Sequence, residues 1–211
     1  MAIIELDAIS KSYGRKAVLE DVTLRLTEGL AVLVGPSGAG KSTLLRLLAT
    51  AERPSGGTLR WNGVALPKAR RLLRSSLGYA PQAVDLPEDL TAREFGRQMA
   101  ALKGLDYSSG GEQFAFVTDA LGLGEDIDRR ISTFSGGMRR RLILAQAMLG
   151  EPELLALDEP TAELDAVSIE AVLSLVRQRA RSAIVVMTTH LAEGLAAGTS
   201  FHVERGQVRP L

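Results

Sequence analysis

Apolar and polar residues alternate through IIELDAI (3–9) and TLRWNG (58–63), the period-two pattern of strands with one covered face. Between them AVLV (31–34) is continuously apolar, as suits a central strand covered on both faces. It runs directly into the glycine-rich GPSGAGKST (35–43) and the helical stretch LLRLLAT. From about 85 to 150 the strand signals fade. Thr91 followed by Glu94 is a capping box opening the helix TAREFGRQMAALKG, and EQFAFVTDALGLG is a second helical stretch ending in Gly122 and Gly124. A third helix should start near Ser135 and run through MRRRLILAQAML, with Gly150 past its end and Pro152 barring continuation.

Strands then return in LLALD (154–158) and AIVVMTT (183–189). The stretch between them, VSIEAVLSLVRQRA, carries Val167, Val172, Leu173 and Val176 at helical spacing. This alternation predicts a parallel α/β sheet with a helical lobe inserted in it. The tail FHVERGQVR reads as a hairpin turning at Arg205 and Gly206.

Composition narrows the class. The chain has 211 residues, 45% hydrophobic and 24% charged, a balance that excludes disorder and collagen-like structure. With no cysteine and only His190 and His202, disulfides, thiol nucleophiles and Cys/His zinc sites drop out of the function classes. Lys plus Arg at 25 cancel Asp plus Glu at 25, so no overall field attracts a polyanion and no nucleic-acid partner is expected. Any phosphate must be held by a local site. No stretch approaches the 18 or so apolar residues of a membrane span, and the first residues lack a signal-peptide pattern, so the expected place is the cytoplasm.

Residues 35–42, GPSGAGKS, fit G-x-x-x-x-G-K-[ST] between a buried strand and a helix. In that pattern glycines let backbone N–H groups curl around phosphate oxygens, Lys41 reaches the β and γ phosphates, and Ser42 binds Mg²⁺. The helix N-terminus adds its dipole. In LLALDEP (154–160) a buried strand ends in two carboxylates, and charges there need a partner. Asp158 is placed to hold Mg²⁺ and Glu159 to act as general base on a water attacking the γ-phosphate. The same acids, alone, also fit a solvated strand-end turn. FSGGM (134–138) supplies a hydroxyl and two glycines at a helix head, a second anion-binding terminus or an ordinary loop with Ser135 as N-cap. The triplet Arg139, Arg140 and Arg141 points in three directions about 100° apart and reads as a solvated helix face. Trp61 reads as packing.

In this order the elements resemble the ATP-binding cassette ATPases, the nucleotide-binding subunits of ABC transporters. GPSGAGKST resembles the Walker A loop, YAPQ (79–82) the Q-loop, FSGGM the signature motif and LLALDEP the Walker B segment. KSYG, with Tyr13, resembles the adenine-stacking element, AELD (162–165) the D-loop and TTH (188–190) the switch-histidine loop. The family departures are Phe134 for the commoner Leu, Met138 for Gln, and a charge, Glu163, in the D-loop. The resemblance implies a single P-loop NTPase domain of the ABC type. Residues 1–84 and 151–211 would form the RecA-like catalytic core, with an antiparallel β region near the N-terminus, and about 85–150 the helical subdomain.

The resemblance further implies ATP and Mg²⁺ as ligands. Tyr13, Gly35, Pro36, Ser37, Gly38, Ala39, Gly40, Lys41, Ser42 and Thr43 would bind the nucleotide. From the opposing subunit Ser135, Gly136, Gly137 and Asp165 would complete the site. Ser42, Gln82 and Asp158 would hold the metal, and Glu159, His190, Lys41 and Gln82 would serve catalysis. It implies a head-to-tail dimer, with an identical or paralogous subunit, and a separate transmembrane permease that docks near Gln82 and the following AVDLPEDL. The protein would then sit on the inner face of the membrane. SGGMRRR resembles the ABC-2 exporter class, with an importer subunit as the alternative. A soluble repair or translation cassette is disfavoured, because only about 120 positions separate Lys41 from Asp158 and there is one cassette. A P-loop kinase would have no use for the SGG terminus. The chain stops about twenty residues after His190, which leads to the expectation that no regulatory domain follows.

Overall fold

The computed structural model describes residues 1–83, 85–189 and 198–211. Two sheets build the molecule. The first is antiparallel, with strands β1 (Ile3–Tyr13), β2 (Lys16–Thr27), β4 (Gly56–Trp61) and β5 (Val64–Ala65) in the order β2-β1-β4-β5. The second contains β3 (Gly29–Val34), β6 (Leu77–Ala80), β7 (Leu154–Leu157), β8 (Ile184–Thr188), β9 (Thr199–Glu204) and β10 (Gln207–Pro210). Its order is β10-β9-β3-β8-β7-β6. All of its pairings are parallel except the β9–β10 hairpin, which turns at Arg205 and Gly206 as the tail pattern predicts. The alternating segment 3–9 falls within β1 and 58–61 within β4, with Asn62 and Gly63 in the turn that follows. Lys16–Thr27, whose second half VTLRLT also alternates, is a full strand that was not singled out from the sequence.

The parallel strands are buried on both faces, and their period of two sorts side chains between two cores. Leu30, Val32, Leu155, Leu157, Val185 and Met187 face one cluster. Ala31, Leu33, Leu154, Ala156, Ile184 and Val186 face the other. The first core is completed by helices α3 (Ala92–Leu102), α4 (Tyr107–Ala120) and α5 (Gly136–Met148), and also takes Val172 and Val176 of α6 (Ala166–Arg179). The second is completed by α1 (Lys41–Leu48), by Leu73 of the short α2 (Arg70–Ser75) and by the antiparallel sheet, including Trp61, 3% exposed and hence packing. Because one core runs continuously from sheet to helices, the helical region is anchored to the parallel sheet by apolar burial.

Helix ends follow the local chemistry. Thr91 and Glu94 form the expected capping box of α3, in which the Thr91 hydroxyl accepts from the Glu94 amide and the Glu94 carboxylate from the Thr91 amide. Asp106 caps α4, which starts five residues earlier than the apolar pattern suggested. Ser135 caps α5 by accepting from the Met138 amide at 3.3 Å. In α6 the buried stripe is Ser168, Val172 and Val176, and Val167 is 83% exposed. One residue of phase, 100° on a helix, takes Val167 off the core face.

Glycine 78 fixes how closely α5 lies on the sheet. A Cβ there would fall 2.0 Å from the Ala147 carbonyl oxygen of α5 and 2.8 Å from the Leu155 side chain. Gly78→Ala must therefore push the helix off β6, and overpacking of this kind costs about 1–3 kcal/mol. A urea midpoint unchanged from wild type would show that the contact is not limiting.

Candidate functional site

The parallel strands aim their carboxyl ends at one edge. The loop after β3, Pro81–Gln82 after β6, Asp158–Glu159 after β7 and Thr188–Thr189 at the end of β8 therefore meet there. The 35–43 loop turns at Gly35, whose φ of +146° is left to glycine and whose Cβ would strike the Val203 carbonyl of β9 at 2.1 Å. The loop enters α1 through Gly40, which offers no side-chain cap. The amides of Lys41, Ser42 and Thr43 head the helix and have no intrahelical acceptors, so a patch of donors and positive dipole lies at the mouth of the loop. Lys41 is 7% exposed, and its Nζ donates back to the carbonyls of Gly35 at 2.7 Å and Pro36 at 3.0 Å. A cation on weak neutral acceptors is ready to exchange them for charged oxygens, which bind it roughly twice as strongly.

Asp158 is 5% exposed, and its Oδ1 accepts from Ser42 Oγ at 3.1 Å and Thr188 Oγ1 at 2.8 Å. This donor set, a carboxylate beside a serine hydroxyl at the foot of the phosphate loop, is made of hard oxygens and fits Mg²⁺. Among the described residues no cluster of three or more His, Cys, Asp or Glu could hold a metal. A hard cation here would complete its shell from a ligand and water, as Mg²⁺ does.

Glu159 sits beside it in left-handed backbone, φ +50°. Its amide donates to Thr188 Oγ1 at 2.8 Å, its Oε2 accepts from Gln82 Nε2 at 3.3 Å, and its carbonyl accepts from Arg140 Nη1 at 3.0 Å. Gln82, Asp158, Glu159 and Ser42 are thus brought together with Lys41 nearby. His190 lies outside the described residues. Thr188 was not among the residues singled out from sequence, where it was only part of TTH; it both donates to Asp158 and accepts from Glu159, a role visible only once β7 and β8 are paired.

Tyr13 is 43% exposed at the end of β1, close to α1. Its hydroxyl donates to Glu52 Oε2 at 2.5 Å, and the Lys11 ammonium lies 4.9 Å from its ring centroid. Lys11 and Arg46 also pair with Glu52, at 3.0 and 2.7 Å. Burial pushes the Glu52 carboxyl up, but the hydrogen bonds from Tyr13 and Lys11 and the Arg46 charge outweigh it and leave the group below its usual range. The ring is thereby fixed in orientation, with much of its surface open.

Ser135, Gly136 and Gly137 lie elsewhere, against the 163–164 turn: a Cβ on Gly137 would meet Leu164 at 3.3 Å. Among the described residues no hydrogen bond or ion pair joins them to the 35–43 loop. Asp165 accepts from the Ser168 amide at 2.8 Å as N-cap of α6, and that bond holds its carboxyl below the usual range. The three arginines after Met138 do diverge, but they are not a solvated face. Arg139 pairs with Glu88 at 2.7 Å, Arg140 reaches Glu159, and Arg141 donates to the Leu121 carbonyl at 2.9 Å. Each long side chain finds a different backbone or acidic partner left open by the helical region, which sequence spacing does not show.

Comparison with known proteins adds to this geometry. A family model described as ABC transporter matches residues 19–162. The Nod factor export ATP-binding protein I of Paraburkholderia xenovorans is 36% identical over 198 residues, covering 91% of this chain and 64% of that protein. The daunorubicin/doxorubicin resistance ATP-binding protein DrrA of Streptomyces peucetius is 37% identical over 187 residues, 88% of this chain and 57% of that one. The chain thus spans about three-fifths of the length of these relatives. A solved ATP-binding subunit of an ABC transporter superposes with a TM-score of 0.88 at 28% identity, over 98% of this chain and 88% of that one. A dimeric cassette in a post-hydrolysis state with ADP and Pi superposes with a TM-score of 0.89 at 23% identity, over 99% and 97%, and bears on the fold.

Removing the Thr188 hydroxyl while keeping its shape tests the site's scaffold. Thr188→Val leaves Asp158 Oδ1 and the Glu159 amide each one partner short, and should cost about 1–3 kcal/mol in chemical denaturation. Thr188→Ser should retain most of the stability. Equal stability of the valine variant would show that water or another group replaces the hydroxyl.

Proposed function

The chain belongs to the ABC transporter family of ATP-binding proteins, and from that premise we propose that it binds and hydrolyses Mg-ATP as the motor subunit of a transporter, in the exporter class. The observation that carries the reading is the convergence of Ser42, Asp158, Thr188, Glu159 and Gln82 beside Lys41 at one edge of the parallel sheet. The names of the relatives, a Nod factor exporter and a drug resistance protein, support the exporter class. Among the described residues no helix is long and apolar enough to cross a membrane. The relatives' names as export and resistance ATP-binding proteins support a pathway in a separate permease, with this subunit working on the membrane's inner face through it.

The chemistry follows from positioning and fixed charge. The nucleotide's base stacks on the Tyr13 ring, and the amides of 37–43 cradle its β and γ phosphates. Lys41 Nζ exchanges the Gly35 and Pro36 carbonyls for phosphate oxygens. Ser42 and Asp158, with Gln82 at the far side, would hold Mg²⁺, which supplies charge neutralisation at the phosphate oxygens. Glu159 accepts a proton from water as its oxygen attacks the γ phosphorus. The bond to the β–γ bridging oxygen breaks, and ADP and inorganic phosphate result. Gln82 aligns the Glu159 carboxylate, and His190 donates to the γ-phosphate.

One chain offers the phosphate only half its shell. Ser135, Gly136 and Gly137 present the head of α5, away from their own 35–43 loop, which suits them to the phosphates held by a second cassette, with Asp165 setting the start of α6 beside them. ATP then bridges two subunits head to tail, and hydrolysis releases the bridge. A permease docking near Gln82 feels this through residues 85–90. In that segment the Glu88 carbonyl accepts from the Ser132 amide at 3.1 Å, and its carboxylate pairs with Arg139.

Glu159→Gln should keep ATP affinity, lose at least about a hundredfold in turnover and accumulate as an ATP-bound dimer by size-exclusion chromatography; wild-type turnover would remove Glu159 from the base role. Lys41→Ala should weaken binding of a fluorescent ATP analogue and abolish phosphate release. Unchanged affinity and rate would rule out the phosphate cradle.

A further inference from the structure

Arg140 stands one turn into α5, the helix whose N-terminus carries Ser135, Gly136 and Gly137, yet its side chain crosses to the turn after β7. It is 17% exposed there, Nη1 donates to the Glu159 carbonyl at 3.0 Å, and Nη2 lies 3.8 Å from Glu163 Oε2. Both acids have left-handed backbone, φ +50° at Glu159 and +61° at Glu163. For a residue with a Cβ this conformation costs about 1–3 kcal/mol and persists only where several partners hold it.

Those partners can be counted for Glu159. Its amide is held by Thr188 Oγ1, and its carbonyl is shared between the Ala162 amide at 3.2 Å and the Arg140 guanidinium. The first comes from the neighbouring strand and the second from the turn itself. Of these three, Arg140 is the one that comes from α5. The Glu163 pair is spread over an exposed carboxylate and adds little.

We infer that Arg140 is the positioning residue for Glu159, and that it joins the phosphate-facing N-terminus of α5 to the base serving the chain's own nucleotide. This rests on the ATPase reading above. In a head-to-tail pair, Ser135–Gly137 of one chain touch the ATP held by the other chain's 35–43 loop. A shift of α5 on engaging that ATP is passed through one rigid guanidinium to the peptide that aims Glu159 at the first ATP. The two sites are thereby coupled directly through the Arg140 side chain, with no movement of the sheet required. Arg139 and Arg141, bound to Glu88 and to the Leu121 carbonyl, hold the same helix to the helical region and leave Arg140 as the link to the catalytic edge.

The test compares Arg140→Met, which keeps the length and loses the donors, with Arg140→Lys, which keeps one charged donor. Arg140→Met should lower kcat about tenfold with the KM for ATP unchanged, and bring the Hill coefficient for ATP down towards 1 from the wild-type value. Arg140→Lys should recover part of both. In the protein without nucleotide, hydrogen exchange at the Ala162 amide should be several-fold faster in Arg140→Met, with the thermal midpoint within a few degrees of wild type. Unchanged kcat and Hill coefficient, a loss shared equally by kcat, KM and thermal stability, or unchanged Ala162 exchange would each overturn the inference. Should Arg140→Met not fold, the lysine variant decides: wild-type kcat and cooperativity together with wild-type Ala162 exchange overturn it, and a partial loss of all three supports it. Wild-type protein that releases no phosphate from ATP would instead defeat the ATPase reading, and the exchange measurement would still report on the Arg140 contact.

Discussion

A buried carboxylate must be satisfied by donors, and at Asp158 that requirement ties the carboxyl edge of the parallel sheet together. Ser42 arrives from the helix after the glycine loop and Thr188 from the neighbouring strand, and both donate to one oxygen. Leaving such an oxygen unpaired costs more than any single bond contributes. The loop, β7 and β8 are therefore held in one relative position before any ligand arrives. The same Thr188 oxygen receives the Glu159 amide, so the two adjacent acids share a support. A site built this way needs little rearrangement to accept phosphates, which is the condition for electrostatic stabilisation of a transferring phosphoryl group.

The turn after β7 carries two of the left-handed non-glycine residues of the chain. Glu159 and Glu163 are both left-handed, and the turn between them is pinned from three sides: by β8, by its own Ala162 amide and by α5. The helical region is no loose appendage. Its apolar core is continuous with one face of the parallel sheet, Gly78 lets α5 lie against β6, and Glu88 and Arg139 join the segment after Gln82 to the head of α5. A displacement at that head has short polar routes both to Glu159 and towards Gln82, and both lead to the same carboxylate.

The Tyr13 ring shows a second kind of preorganisation. Its phenol and two cations converge on Glu52, so the side-chain entropy of the aromatic is already lost in the folded chain. A base arriving there would meet a fixed surface. The cluster draws on residues from β1, α1 and the loop after α1, all on the side of the molecule where the antiparallel sheet meets the glycine loop.

The sequence by itself determined the glycine loop, the strand-end acids and the kind of element that holds each. Glycine 35 and Lys41 declare their loop through backbone constraint and spacing. Thr91 with Glu94 declares a helix start, and continuous apolar runs declare doubly covered strands, because all of these signals are local. Only the tertiary structure decided that Ser42 and Asp158, 116 positions apart, share a hydrogen bond, and that Thr188 lies between the two acids. It also decided that three arginines in succession have three separate partners and that Val167 is exposed on α6. These depend on which strands become neighbours and which helix face meets the core. That outcome is fixed by apolar burial summed over the whole chain and is not written in the spacing around any one residue.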